Sequence, residues 1–134
     1  MTHTMVRTPH EWREQEAVMA WAVYHARLEP RLLLLYHIPN GEKRDGATAA
    51  KLEKMGVKPG IPDLHLPVAS RGWHSLYIEM KRIGKHETED QRAMARLLHH
   101  EGNYVYVAAR GWSDAVHHLC WYLQREDLVT ELEK

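Results

Sequence analysis

The sequence predicts an α/β domain in which a mixed β-sheet is flanked by α-helices. Stretches with helical periodicity alternate with short apolar or alternating stretches, in the order α-β-α-β-β-α-β-α. The composition is that of an ordinary globular protein, with 44% hydrophobic and 27% charged residues. A chain of 134 residues is long enough for one hydrophobic core and too short for two. We therefore expect a single domain over residues 1–134, with its core at residues 11–124.

The first half of the chain predicts two helices with a strand between them. Residues 11–28 have the apolar stripe of an amphipathic helix, which Pro30 ends. Residues 31–38 are too short for a core helix and indicate a buried strand. Residues 47–55 are rich in alanine and lysine, which predicts a short helix that ends at Gly56.

The second half predicts three strands and two helices. Residues 63–68 and 73–81 read as two strands joined by a turn, and the second of them alternates apolar and polar side chains. A helix over residues 88–100 follows, and residues 103–109 form the clearest strand pattern in the chain. The last helix is expected over residues 113–124, with an acidic tail that adds a turn.

Helix ends in this half are marked by residues with capping chemistry. Thr88 is expected to be the N-cap of its helix, because its hydroxyl can accept a bond from an unpaired backbone N–H. Gly102 is expected to stop the same helix. Ser113 is expected to cap the last helix in the same way as Thr88.

Several protein classes are excluded by composition. The longest strongly apolar run is the four leucines at 32–35, which is far too short to span a membrane. The first five residues lack the apolar core of a secretion signal. The single cysteine, Cys120, excludes an intramolecular disulfide and a zinc site made of cysteines. We therefore expect a cytoplasmic protein without disulfides.

The overall charge does not identify a partner, but its distribution is uneven. The 18 lysines and arginines balance the 18 acidic residues, whereas a purely electrostatic nucleic-acid binder would be basic. Between residues 41 and 58, however, five basic side chains outnumber three acidic ones. They are a candidate strip for contacting phosphates, with a solvated helix face as the ordinary alternative. The basic residues of this strip are Lys43, Arg44, Lys51, Lys54 and Lys58.

Two carboxylates and an ammonium group are expected to meet at the predicted hairpin. Glu79 and Lys81 are two residues apart on one strand, so both project from the same face, about 7 Å apart. Asp63 begins the preceding strand, and the 15 intervening residues suffice for a strand, a turn and a return. Two carboxylates in an open coordination shell suit Mg²⁺ or Mn²⁺, and such sites hydrolyse phosphodiesters. Lys81 would position the attacking water or offset the charge that develops on the phosphorane.

The alternative is that this Glu-x-Lys pair is a solvated strand face, since the pattern also arises by chance. Two features favour the functional interpretation. The strand is otherwise apolar and aromatic, so Glu79 and Lys81 do not belong to a polar segment. The approach to Asp63 is also stiffened by Pro59, Gly60 and Pro62, which a solvated loop would not need.

Taken in order, these motifs resemble the VRR-NUC family of the PD-(D/E)XK nuclease superfamily. The resemblance rests on Gly-Ile-Pro-Asp-Leu at 60–64, Glu-Met-Lys at 79–81 and a following helix with Gln91, and it extends from residue 11 to residue 115. It implies a restriction-endonuclease-like core and a stand-alone, phage-type member. Further matches are Glu14-Gln15, Trp21, Asn40-Gly41, residues 51–58, residues 104–108 and residues 113–115.

The resemblance also implies roles for individual residues. Asp63 and Glu79 would bind a metal ion, and the backbone carbonyl of Met80 would complete the inner shell. Lys81 would position or activate water. Gln91, ten residues after Lys81, would support the site or contact the DNA backbone.

The family also uses an acidic residue on its first helix. Glu14 lies on the apolar, inward stripe with Val18 and Trp21, whereas Glu16 is rotated from it by about 200° and should face solvent. Glu14 is therefore our choice for the N-terminal acid of the metal site. The alternative is that Glu14 only favours the first helical turn electrostatically.

The histidine pairs and the cysteine are weaker candidates for functional residues. The adjacent pairs His99-His100 and His117-His118 point about 100° apart on a helix and lack the spacing of metal ligands. Cys120 lies among apolar residues of a predicted helix, which indicates a buried and unreactive thiol.

The expected function is a Mg²⁺- or Mn²⁺-dependent DNA endonuclease that uses Glu14, Asp63, Glu79, Lys81 and Gln91. Because the family is associated with structured DNA, we expect branched substrates such as Holliday (four-way) junctions, in a DNA-repair context. A homodimer would supply the second active site that paired cuts need. A phage-encoded enzyme would act in the cytoplasm of the host cell.

Two hypotheses from other classes remain open at this point. One is a catalytically silent nucleic-acid-binding subunit of a replication or repair complex. The other is a His-rich metal sensor, which predicts a preference for Zn²⁺ or Ni²⁺ and no dependence on Asp63. Flap cutting, duplex nicking and removal of terminal nucleotides would all use the same residues as junction cleavage.

Overall fold

The computed structural model describes residues 9–39 and 46–129, in which helices and strands alternate as the sequence predicts. Short 3-10 helices lie at Pro30–Leu34 and Glu126–Leu128, the second where a turn was expected in the acidic tail. None of the helices in these two ranges is both long and apolar enough to cross a bilayer. The elements are α1 (Pro9–His25), β1 (Tyr36–His37), α2 (Gly46–Lys54), β2 (Leu64–Leu66), β3 (Leu76–Lys81), α3 (Glu89–Gly102), β4 (Val105–Arg110) and α4 (Trp112–Leu123).

The four strands form one mixed sheet in the order β1-β2-β3-β4. β1 pairs with β2 and β2 with β3 in antiparallel fashion, so the predicted hairpin is confirmed. β3 and β4 pair in parallel, and α3 makes the crossover between them. The α/β class with a mixed sheet flanked by helices is therefore confirmed.

The hydrophobic core lies on one face of this sheet. Alternation along β3 directs Leu76, Ile78 and Met80 to that face, where all three are buried. They belong to one apolar cluster with Val18 of α1 and Leu119 of α4, so these two helices cover the core face. The opposite face carries the polar alternate residues of β3 and is approached by α3.

The strand expected over residues 31–38 is wrong for most of its length. Residues 30–34 form a 3-10 helix that Glu29 begins, with its carboxylate accepting a hydrogen bond from the Arg31 N–H at 3.1 Å. Leu32 and Leu35, three residues apart, are buried, whereas Leu33 between them is 68% exposed. A three-residue period fits the 3-10 helix, and leucine has no strong preference for strands.

The cap prediction is confirmed at one helix and wrong at another. Thr88 is the N-cap of α3, whose C-cap is Asn103 in the left-handed conformation, one residue beyond the expected stop. Ser113 lies inside α4, which begins after Gly111 without a side-chain cap from that residue. The first N–H of α4 instead donates to Glu14 of α1, a partner that local sequence cannot reveal.

A cluster of charged side chains joins the 3-10 helix at Pro30–Leu34 to the end of α4. Glu29 is buried and accepts from the Arg31 guanidinium at 2.8 Å and the Arg125 guanidinium at 3.2 Å. Arg31 also donates to the backbone carbonyl of Leu123 at 3.0 Å. The hydrogen bond from Arg31 is the main reason that the pKa of Glu29 falls to about 2.

We expect Glu29→Gln to lower the free energy of unfolding by about 1–2 kcal/mol near neutral pH, because two arginines lose a charged partner that solvent partly screens. The pKa of Glu29 lies below its unfolded value of 4.5, so its contribution is present above that pH and is lost as the pH falls toward 2. Urea denaturation of both proteins over this pH range measures the difference.

Glu126→Gln is the matched control, because Glu126 pairs with Arg71 at 3.1 Å on the surface. It should change the stability by less than about 0.5 kcal/mol. A Glu29→Gln difference that stayed constant from neutral to acidic pH would contradict the assignment of this charge cluster.

Candidate active site

Asp63 and Glu79 lie side by side on neighbouring strands. Leu64 and Ile78 are Cα partners in the antiparallel ladder, so extending the register by one residue brings Asp63 level with Glu79. Directly opposed residues of such a pair project from the same face, with Cβ atoms about 5 Å apart. The two residues are only 7% and 6% exposed. The structure therefore brings the two predicted carboxylates together at a buried position.

Asp63 is held by both of its neighbouring strands. Its backbone carbonyl accepts from the Ile38 N–H at 2.8 Å and from Nδ1 of His37, also at 2.8 Å. Its side-chain Oδ2 accepts from the Met80 N–H at 2.8 Å. These bonds fix the position and orientation of the carboxylate relative to β3.

Glu79 is held from α3 and from its own strand. Its Oε2 accepts from the Gln91 amide nitrogen at 3.0 Å, and Nζ of Lys81 lies 4.0 Å from the same oxygen. Lys81 projects from the same face as Glu79, as the two-residue spacing predicts. The predicted set Asp63, Glu79, Lys81 and Gln91 is thus one contiguous cluster.

Gln91 is fixed because both ends of its amide have a partner. Its side-chain oxygen accepts from the Thr88 backbone N–H at 2.9 Å, and its side-chain nitrogen donates to Glu79. In addition, the backbone N–H of Gln91 donates to the Thr88 hydroxyl at 3.2 Å. This reciprocal arrangement is a capping box, which starts α3. The amide nitrogen is then directed at Glu79, so the cap of a helix positions a residue of the site.

The loop that precedes Asp63 packs closely against the start of α3. Gly60 has a positive φ of 81°, and a Cβ atom on it would lie 2.3 Å from the backbone oxygen of Asp90. Only glycine fits this approach without a shift of the backbone. The contact holds the loop of Asp63 against the helix that carries Gln91.

Glu14 of α1 reaches the start of α4. Its Oε2 accepts from the Trp112 N–H at 2.6 Å, a bond that also suits the positive end of the helix dipole. The side chain is half-buried, whereas Glu16 is exposed as expected. Glu14 therefore joins α1 to α4 in this structure.

The donor set of the cluster fits Mg²⁺ or Mn²⁺ better than it fits Zn²⁺. Within residues 9–39 and 46–129, no three His, Cys, Asp or Glu side chains are arranged to hold one ion. Asp63 and Glu79 would thus supply two carboxylates, with the Met80 carbonyl, water and substrate oxygens as further ligands. Magnesium is commonly bound by one or two carboxylates while it keeps several waters.

The candidate phosphate strip is only partly described. Lys51 and Lys54 are exposed on α2, and Lys58 is exposed in the loop that follows. Lys43 and Arg44 lie outside the described residues, as does the Asn40-Gly41 turn. The described lysines are therefore available to an anionic partner.

Cys120 is buried in α4, and burial raises the pKa of its thiol to about 12. A thiol with such a pKa stays protonated at neutral pH and is a poor nucleophile. The expectation of an unreactive cysteine agrees with this position.

One residue beside the site was missed by the sequence analysis. Tyr106 of β4 lies in the same face as Glu79, and its hydroxyl is buried without a hydrogen-bond partner among the described residues. Burial, together with the nearby carboxylates of Glu79, Glu87 and Asp63, raises its pKa. The alternation of the Tyr-Val-Tyr-Val strand was the available signal, because it directs Tyr106 away from the core.

We expect Gly60→Ala to destabilise the protein by about 3 kcal/mol, because it combines a positive φ with a clash against α3. Gly56→Ala is the matched control, since Gly56 has a φ of 109° but no atom within 4 Å of a Cβ. The control should lose about 1 kcal/mol, from backbone strain alone. Urea denaturation of the three proteins compares them, and equal losses would contradict the close approach.

We expect Glu14→Gln to lower the free energy of unfolding by about 1–2 kcal/mol, because the charged acceptor at the start of α4 is lost. Glu16→Gln, two residues away and exposed, should have almost no effect. Denaturation measures the stability, and metal titration of the folded variants tests ligation separately. A weaker metal affinity in Glu14→Gln alone would assign Glu14 to the metal, and unchanged affinity would leave it a helix contact.

No family profile matches the sequence, and no curated protein matches it. A solved structure described as "VRR_NUC domain protein" is similar, with a TM-score of 0.73 and 27% sequence identity over 89% of this chain and 92% of that one. The sheet order, the Asp63–Glu79–Lys81–Gln91 cluster and this likeness together support membership of the VRR-NUC family, and with it the interpretation of the chain as a nuclease-type domain.

Proposed function

We propose that this protein is a Mg²⁺- or Mn²⁺-dependent DNA endonuclease that hydrolyses phosphodiester bonds in branched DNA. The observation that carries the proposal is the buried pair Asp63 and Glu79, with the Lys81 ammonium 4.0 Å from Glu79 Oε2. Burying two neighbouring carboxylates costs free energy and does not stabilise the core. Two carboxylates beside an ammonium group are, however, the groups that metal-assisted phosphodiester hydrolysis uses.

Each residue has a separate task in the proposed reaction. A divalent ion held by Asp63, Glu79 and the Met80 carbonyl would supply positive charge at the phosphate and a more acidic water. Lys81 orients the attacking water and stabilises the negative charge that develops as the bond to the leaving oxygen breaks. Gln91 holds one oxygen of Glu79, which leaves the orientation of the carboxylate defined before the substrate binds.

The branched substrate and the homodimer are the finer parts of the proposal. They are supported by the association of the family with structured DNA and by the presence of one carboxylate pair in the described chain. Apolar side chains on α1, on the turn that follows it and on the first 3-10 helix offer surface to a second copy, which would place two active sites on one junction. These exposed apolar residues are Val23, Leu28, Leu33 and Leu34.

A catalytically silent DNA-binding subunit is the second candidate. The position of Glu14 favours it, because this acid contacts the start of α4 and the described residues contain no cluster of three metal-binding side chains. Against it, Asp63 and Glu79 are negatively charged neighbours, and a protein that only binds DNA gains nothing from a carboxylate pair that repels phosphates. Cleavage assays separate the two candidates.

We expect the protein to cleave labelled DNA in Mg²⁺ or Mn²⁺ and not in EDTA. Glu79→Gln and Lys81→Met should each reduce the rate at least about 100-fold, because they remove a ligand and a transition-state charge. Glu89→Gln is the control, since Glu89 lies on the exposed surface of α3. Circular dichroism confirms that each variant is folded.

The substrate panel should contain a four-way junction, a flap, duplex DNA and single-stranded DNA. Paired symmetric nicks in the junction would support the branched substrate and the dimer. Faster cleavage of another member of the panel would support the nuclease activity and contradict the proposal that the junction is the substrate. Binding without cleavage in either metal, unchanged by Glu79→Gln, would assign the protein to the silent class.

A further inference from the structure

A row of aromatic rings crosses the whole sheet next to the candidate active site. Tyr36 is the Cα partner of His65, His65 of Tyr77, and Tyr77 of Tyr106, so each strand contributes one ring. All four project from the face opposite the core, because their neighbours Leu64, Leu76 and Ile78 point into it. We call these four residues the aromatic row.

The aromatic row is adjacent to the carboxylate pair. His65 follows Asp63 by two residues, and Tyr77 precedes Glu79 by two, which places both rings on the same face as the carboxylates. Two residues along a strand correspond to about 7 Å. A strand of DNA with a phosphate at Asp63 and Glu79 would therefore pass over, or next to, these rings.

The rings are held in place before any ligand binds. His65 and Tyr77 stack with centroids 4.1 Å apart and planes at 13°, and Tyr36 meets His65 edge-on at 5.4 Å. The Tyr36 hydroxyl lies 2.9 Å from Nδ1 of His65, and Nε2 of His65 lies 2.9 Å from the hydroxyl of Ser75. Ordered rings lose little conformational freedom when a flat ligand stacks on them.

The two ends of the aromatic row differ in accessibility. The hydroxyl of Tyr106 is buried beside α3, which packs on β4. Tyr36, at the other end, is 47% exposed and lies on the edge strand of the sheet. A ligand can therefore reach the aromatic row from the β1 end, while the β4 end supports it.

We propose that the Tyr36 end of the aromatic row stacks an unpaired base of the DNA strand whose phosphate occupies the Asp63–Glu79 site. This inference rests on the proposed function and adds a preference to it. A base presents a flat apolar face, and stacking on an aromatic side chain strengthens the binding of single strands at least about 5-fold. In a continuous duplex both faces of each base are covered by its neighbours, so only an unpaired base can use the ring.

The test measures binding in EDTA, where no cleavage occurs. The probes are a fluorescently labelled single-stranded thymidine oligonucleotide and the same strand with abasic residues at its centre. We expect the abasic strand to bind the wild-type protein at least about 5-fold more weakly, since it keeps the phosphates and lacks the stacking faces.

Three variants locate the effect on the protein. Tyr36→Leu should weaken binding of the intact strand at least about 5-fold and leave the abasic strand unchanged. Tyr36→Phe, which keeps the ring and loses the hydroxyl, should stay within about 2-fold of the wild type. Tyr24→Leu is the matched control, because Tyr24 is also exposed, to 59%, but lies on α1, outside the aromatic row.

Equal affinity of the wild type for both strands, including failure to bind either, would overturn the inference. A loss of base dependence in Tyr24→Leu as well as in Tyr36→Leu would also overturn it. If Tyr36→Leu did not fold, the affinities of the wild-type protein for the intact and the abasic oligonucleotide would still test the inference. Base-dependent binding without any nuclease activity would reject only the proposed function, whereas cleavage without base dependence would reject only the stacking.

Discussion

The structure of this protein depends on the burial of two carboxylates next to one another. A buried negative charge is costly unless it is paired or hydrogen-bonded, and two neighbouring charges repel as well. Asp63 accepts from the backbone N–H of Met80, and Glu79 accepts from the amide of Gln91 with Lys81 close by. Because these donors come from β3 and α3, the two carboxylates keep their partners only while the hairpin register and the position of α3 are maintained.

The same requirement explains why α3 starts where it does. Thr88 and Gln91 form the two reciprocal hydrogen bonds of a capping box. Because the side-chain oxygen of Gln91 is bound to the Thr88 N–H, the side-chain nitrogen of Gln91 is directed at Glu79. Gly60 allows the loop before Asp63 to approach α3 at Asp90. A local helix cap and a close backbone contact therefore orient the two carboxylates, so the geometry of the site is set by the fold before any ligand binds.

Much of the fold was predictable because short-range patterns carried it. Alternation in residues 76–81 separated the core face from the polar face, and the spacing of Glu79 and Lys81 placed both groups together. Prediction failed where a distant partner decided the outcome. Residues 30–34 form a 3-10 helix that Glu29 and Arg31 anchor to the end of α4, and Glu14 of α1, in place of Ser113, accepts from the first N–H of α4. Neither partner is close in sequence.

The sequence by itself determined the order of the elements, the face of each strand and the identity of the carboxylates, since all three follow from residue periodicity and motif spacing. The sequence also predicted the hairpin of β2 and β3, whereas only the tertiary structure decided the register of the strands and the pairing of β1 and β4 with that hairpin. That register makes Asp63 level with Glu79, and it also assembles the aromatic row from four separate strands. Cross-strand neighbours depend on the alignment of segments far apart in the chain, and periodicity within one segment contains no information about that alignment.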